Sequence, residues 1–157
     1  REYHLRAGLL ALQNTYGELL LSSLFECDPV GFVGDRFYNM VIAFDTQDSL
    51  ETVAKFVRQV EFDNGRPQDA KKFSSRTLDL DILLFGQKVT DLPVEIPRAE
   101  IRKNAFVLAP LAELASSFIH PHTQLSIEEM WNRFDKQLQP LKKLDFKWHN
   151  NKVEIRE

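Results

Sequence analysis

Leu5, Leu9 and Leu12 recur at the spacing of one helix face, and Gly17 stands where such a helix would end, so a helix is expected over residues 2–16. The run from Leu19 to Cys27 reads as a strand, broken by Asp28-Pro29-Val30-Gly31 and a loop that Gly34-Asp35 prolongs. Phe37 to Thr46 is the next expected strand. Tyr38, Met40, Ile42 and Phe44 take one face; Phe37, Asn39, Val41 and Ala43 take the other. Asp48 followed by Glu51 resembles a capping box, opening an amphipathic helix through Leu50, Val53, Val57 and Val60 that stops at Asn64-Gly65.

Residues 65–75 are polar and basic without periodicity and read as a loop. Thr77 to Phe85 reads as a strand, turned by Gly86-Gln87 toward Val89, and Arg98 to Leu114 reads as mostly helical. Ser126 and Glu129 form a second capping box for a helix through Phe134. Leu144, Phe146 and Trp148 alternate, His149-Asn150-Asn151 can turn, and Val153 and Ile155 alternate again, which predicts a C-terminal hairpin. Strands mixed with long helices favour an α+β sheet covered by helices. No repeat or linker divides residues 1–157, so one domain is expected.

Composition narrows the function without naming it. Hydrophobic residues make up 43% and charged residues 27% of the 157 positions, as in ordinary globular chains. A net charge of −3 offers no general attraction to nucleic acid or to an anionic membrane, so any anion site is a local cluster of Arg and Lys. Cys27 is the only cysteine, which excludes an intrachain disulfide and fits a reducing cytoplasm. No apolar run reaches membrane-spanning length. His120-Pro121-His122 reads as a turn with two exposed histidines rather than a metal site, since no further ligand motif accompanies it.

Asp79 and Asp81 lie two apart on an expected strand, so both carboxylates leave one face, roughly 6.5–7 Å apart at Cα. Leu78, Leu80, Ile82 and Leu84 fill the opposite face. Two like charges held together call for compensation, and Mg²⁺ takes one or two carboxylates plus substrate phosphates. The alternative is a solvated strand edge, or pairing with Arg66 and Arg76. Arg66, Lys71, Lys72 and Arg76 lie in or beside the preceding loop, where cations either close over a polyphosphate or stay solvated. No Gly-x-x-x-x-Gly-Lys-Ser/Thr loop is present.

The segment Arg76-Thr77-Leu78-Asp79-Leu80-Asp81-Ile82-Leu83-Leu84-Phe85-Gly86 resembles the signature of the hydroxymethyldihydropterin pyrophosphokinases. Asp28-Pro29-Val30-Gly31, Phe37-Tyr38-Asn39, Glu61 with Gly65-Arg66, and Asn104-Ala105-Phe106-Val107-Leu108-Ala109-Pro110-Leu111 agree in order and spacing. The resemblance implies a ferredoxin-like α+β fold, with a mixed, mainly antiparallel sheet covered by helices in three αβα layers. It implies Mg²⁺-dependent transfer of pyrophosphate from ATP to the hydroxymethyl group of a dihydropterin, releasing AMP, in folate biosynthesis. Asp79 and Asp81 would bind two Mg²⁺ ions, and Arg66 and Arg76 would grip the phosphates as catalytic residues. Glu61, Arg66, Phe73, Arg76, Ile82 and Arg98 match the ATP-binding positions. Cys27, Val30, Phe37, Asn39 and Phe106 match the pterin-binding ones. The implied protein is a cytoplasmic monomer acting on small molecules, with neither nucleic acid nor membrane as partner.

Some positions depart from the family pattern. Nothing like its short N-terminal strand ending in Gly-Ser-Asn precedes Arg1, so the natural protein is expected to carry further residues there, roughly a dozen, because a central strand left out would expose sheet edges. Arg98 stands where a histidine is common, followed by Ala99, and Asn104 where an arginine is common. Phe73 replaces a larger aromatic, and Ser74-Ser75 replaces Gly-Pro. Two other function classes compete: a non-catalytic pterin- or nucleotide-binding paralogue, and a ferredoxin-like nucleic-acid module, which the negative charge disfavours.

Overall fold

A computed structural model describes residues 2–28, 36–65, 78–149 and 152–156. The first helix, α1 (Glu2–Tyr16), buries Leu9 and Leu12 and ends as expected: Gly17 adopts φ +83° and its N–H caps the Gln13 carbonyl at 2.8 Å. Leu19–Cys27, expected as one strand, is two: β1 (Leu20–Leu21) and β2 (Leu24–Cys27). The following strand is likewise divided, into β3 (Phe37–Asn39) and β4 (Ile42–Ala43).

The cause is a β-bulge at Ser22. Leu21 faces Ile42, but Phe25 faces Asn39, so the β1–β2 run carries one more residue than its partner. Ser22 bridges the step by donating its N–H to the Val41 carbonyl at 2.9 Å, while its Oγ accepts the Val41 N–H at 2.8 Å. A side-chain oxygen thus replaces a ladder carbonyl. The alternation predicted beyond Phe37 survives. Met40, Ile42 and Phe44 pack with Leu9, Leu12 and Leu19 of the α1 side, whereas Val41 and Phe37 join the cores beneath α3 and α4.

Helix α2 (Leu50–Asp63) starts one residue later than the Asp48 box predicts: Ser49 is the cap, and its Oγ accepts the Thr52 N–H. The expected helix after Arg98 divides into a 3₁₀ turn (Ala99–Arg102) and α3 (Ala105–Ala115), an apolar helix buried along most of its length. Helix α4 (Ile127–Arg133) has the expected Ser126 cap, whose Oγ accepts the Glu129 N–H at 3.1 Å. The C-terminal hairpin is present as β5 (Leu141–His149) and β6 (Lys152–Arg156), with His149 opposite Lys152. The described strands form a sheet in the order β3-β2-β5-β6 and a separate β1-β4 pair, every pairing antiparallel, so the class is α+β.

Two expectations need correction. Residues 78–85 are not a strand, although from Leu78 to Ile82 buried and half-buried residues alternate with exposed Asp79 and Asp81 as predicted; beyond that Leu83 and Leu84 pack against the same core. Their backbone is held otherwise: a Glu61 carboxylate oxygen accepts the Leu80 N–H, and the Arg98 N–H donates to the Leu83 carbonyl. Leu78 itself is seated on α1 at Gly8, where an added Cβ would lie 2.7 Å from its Cδ2.

The second correction concerns His120, which is fully buried; only His122 of that pair is exposed. His120 Nδ1 accepts the His122 N–H at 3.1 Å, so the ring proton resides on Nε2, which has no partner among the described residues. Burial, with His122 and Arg102 nearby, lowers its pKa. A base with a depressed folded pKa gives stability that is present above the unfolded value, about 6.5, and lost as pH falls. The midpoint of urea unfolding is therefore expected to drop between pH 7 and 5, and His120→Asn, which keeps an acceptor for the His122 N–H, to remove much of that drop. Parallel declines in parent and variant would show that His120 is not responsible.

Candidate functional site

The predicted residues gather in two groups. In the group expected to meet a pterin, Cys27 on β2 faces Phe37 on β3, and both pack with Phe106 of α3. Phe37 and Phe106 meet edge to face, their ring centres 5.2 Å apart. Asn39 follows Phe37 by two positions and so shares its face; its Nδ2 donates to the Phe106 carbonyl. Burial, with Asp28 and Glu26 adding to it, pushes the Cys27 thiol up to about 12. The thiol stays protonated and is not a nucleophile. Val30 lies outside the described residues.

On the acidic side, Glu61 closes α2 with only 3% of its surface exposed, and its Oε2 accepts the Leu80 N–H at 2.8 Å. Leu80 lies between Asp79 and Asp81, so this buried carboxylate fixes the backbone that presents both. Asp81 is half exposed and pairs through Oδ1 with Arg98 Nη2 at 3.4 Å, while Arg98 Nε approaches Glu100 Oε2 at 3.1 Å. Ile82, half-buried, continues the same segment. Arg66, Phe73 and Arg76 lie outside the described residues. The two groups back onto one core: Leu83, Leu84 and Phe106 all pack against Ile101, Val107 and Leu108.

The donor set suits a hard cation. Asp79 and Asp81 offer exposed carboxylates, and among the described residues no cluster of three or more potential metal-ligating side chains occurs. Two carboxylates leave most of a Mg²⁺ coordination sphere to substrate oxygens, the usual division for that ion. A cleft of about 690 Å³ opens elsewhere, lined by Phe25, Glu113, Trp131, Lys136 and Lys143, and contains none of the candidate residues. Its volume marks space, not chemistry.

Some supporting residues are silent in the sequence. Gln139 accepts the Ala105 N–H at 2.7 Å and donates to the Lys103 carbonyl, capping α3 just before Phe106 from 34 positions away. Glu113 accepts the Ser23 N–H at 2.6 Å beside the bulge and pairs with Lys143. No local pattern announces either one. Glu61 did carry a signal, a lone carboxylate closing an apolar helix face ahead of Gly65.

Known proteins place these features in context. The family model for 7,8-dihydro-6-hydroxymethylpterin-pyrophosphokinase matches residues 1–116. A 2-amino-4-hydroxy-6-hydroxymethyldihydropteridine pyrophosphokinase of Pseudomonas aeruginosa is 41% identical over 97 residues, covering 60% of this chain and 59% of that protein. The Bacillus subtilis protein of the same name is 30% identical over 141 residues, covering 87% of this chain and 84% of its own length. A folic acid synthesis protein of Pneumocystis carinii is 30% identical over 140 residues, but this chain spans only 18% of it. With a family model matched across most of its length, the chain belongs to the 7,8-dihydro-6-hydroxymethylpterin-pyrophosphokinase family.

Proposed function

We propose that this chain transfers pyrophosphate from ATP to the hydroxymethyl group of 6-hydroxymethyl-7,8-dihydropterin, releasing AMP, as a step of folate biosynthesis. The observation that carries this reading is the pairing of a matched family with an exposed Asp79–Asp81 segment clamped by Glu61 and Arg98. A bond forms between the pterin hydroxyl oxygen and the β-phosphorus as the hydroxyl proton passes to water; the bond from that phosphorus to the α-phosphate oxygen breaks, and AMP leaves with the electron pair. Asp79 and Asp81 would hold Mg²⁺, two ions on this reading, which when bound supplies positive charge to the phosphate oxygens.

The chain's own residues do the rest by positioning. Arg98, Arg66 and Arg76 bind phosphate oxygens, with Phe73 and Ile82 beside the nucleotide, and Glu61 serves that side by holding Leu80. Phe37 and Phe106 offer aromatic surface to the heterocycle, Asn39 its amide, and Cys27 and Val30 a wall. The proposed architecture is a single ferredoxin-like domain with three αβα layers. The proposed protein is a cytoplasmic monomer acting on small molecules, with neither membrane nor nucleic acid as partner; no helix among the described residues is long and apolar enough to cross a membrane.

Incubating the chain with ATP, Mg²⁺ and the hydroxymethyl dihydropterin is expected to yield AMP and the pterin pyrophosphate in equal amounts, and EDTA to stop both. Pterin binding without AMP would instead identify a non-catalytic binding paralogue.

A further inference from the structure

We propose that Pro110 is a positioning residue for the heterocycle, acting through the Phe106 carbonyl and the Asn39 side chain. The inference rests on the pterin site proposed above and goes beyond it. Pro110 lies inside α3 and is fully buried. In a regular helix the residue at position 110 would donate its N–H to the carbonyl of residue 106, but proline has none to give. The Phe106 carbonyl is therefore released from the helix ladder at a part-buried place, where an unmade hydrogen bond still costs free energy. Asn39, on β3, supplies the missing donor: its Nδ2 donates to Phe106 O.

This exchange sets the amide's orientation. A carbonyl oxygen only accepts, so the NH₂ end of Asn39 must face α3 and Oδ1 must face the other way. Oδ1 has no partner among the described residues. It lies on the strand face shared with Phe37, whose ring meets that of Phe106. The site thus presents an acceptor beside aromatic surface, and its chemical preference is a planar heterocycle that carries an N–H donor on its edge. An analogue with an acceptor in that place would confront Oδ1 with like polarity and be rejected.

With Ala at 110 an N–H becomes available to Phe106 O, so Asn39 loses its unique claim on the carbonyl and its amide is free to turn. The test measures binding of the hydroxymethyl pterin and of a non-hydrolysable ATP analogue to the full chain and to Pro110→Ala, Asn39→Ala and the double variant. Pro110→Ala is expected to weaken pterin binding about three- to tenfold, with ATP-analogue binding unchanged. In the Asn39→Ala background, Pro110→Ala is expected to cost nothing further. A merely structural proline would lower both affinities, or would cost the same in both backgrounds, and either result overturns the proposal. If Asn39→Ala leaves pterin binding intact, the pterin site itself is misassigned. If Asn39→Ala weakens it and Pro110→Ala does not, the site stands and the role of Pro110 falls.

Discussion

Asp81→Ala is expected to reduce AMP formation by about 10³-fold while leaving the chain folded. Electrostatic charge placed against a polyphosphate acts where negative charge builds in the transition state, so its loss falls mainly on turnover. Asp81 supplies one of the two carboxylates proposed to hold that charge, and no third ligand-type side chain clusters with them among the described residues. Stability should change little. The Asp81 side chain is 46% exposed, and its contact with Arg98 at 3.4 Å is a solvent-screened ion pair worth about 1 kcal/mol or less. Arg98 also keeps its Glu100 partner. Single-turnover rates, with urea unfolding as the control, check this. Retention of more than about a tenth of the parent rate at saturating Mg²⁺ would remove Asp81 from the metal site.

Glu61→Ala is expected to act through the fold instead, lowering unfolding free energy by about 3 kcal/mol. The Leu80 N–H lies under a carboxylate that is itself 3% exposed, so truncation leaves a donor without its charged acceptor and opens space beside it. The contact between Arg58 and Glu61 adds little, because it spans 3.8 Å and Arg58 is largely solvated. Glu61→Gln keeps an acceptor oxygen and should recover part of the loss. Because Leu80 separates Asp79 from Asp81, the folded fraction of Glu61→Ala should also require more Mg²⁺ for half-maximal rate. An unchanged urea midpoint would mean that Leu80 is held by something other than Glu61.

The contrast between these two carboxylates shows what a linear chain discloses. Asp79 and Asp81 were legible because their pattern is local: two acids spaced to leave one face, between leucines that leave the other. The Gly17 stop, the Ser126 cap and the C-terminal hairpin that pairs His149 with Lys152 were legible for the same reason, since a cap or a hairpin is decided by residues a few positions apart. Asn39, Phe37 and Phe106 were reached only through resemblance; by pattern alone they were ordinary core and strand residues.

Readable from the chain alone, then, were helices α1, α2 and α4, the C-terminal hairpin, the two faces of the Phe37–Thr46 run and the acidic segment. The tertiary structure decided the rest, because the deciding partners are distant along the chain. Ser22 bends its strand by answering Val41, and the Leu80 backbone pairs with Glu61 rather than with a neighbouring strand. His120 is buried where a polar turn promised exposure. Asn39 takes its orientation from a carbonyl that Pro110 leaves free. Periodicity records which side of an element faces inward, but a hydrogen bond between distant residues has no period to record.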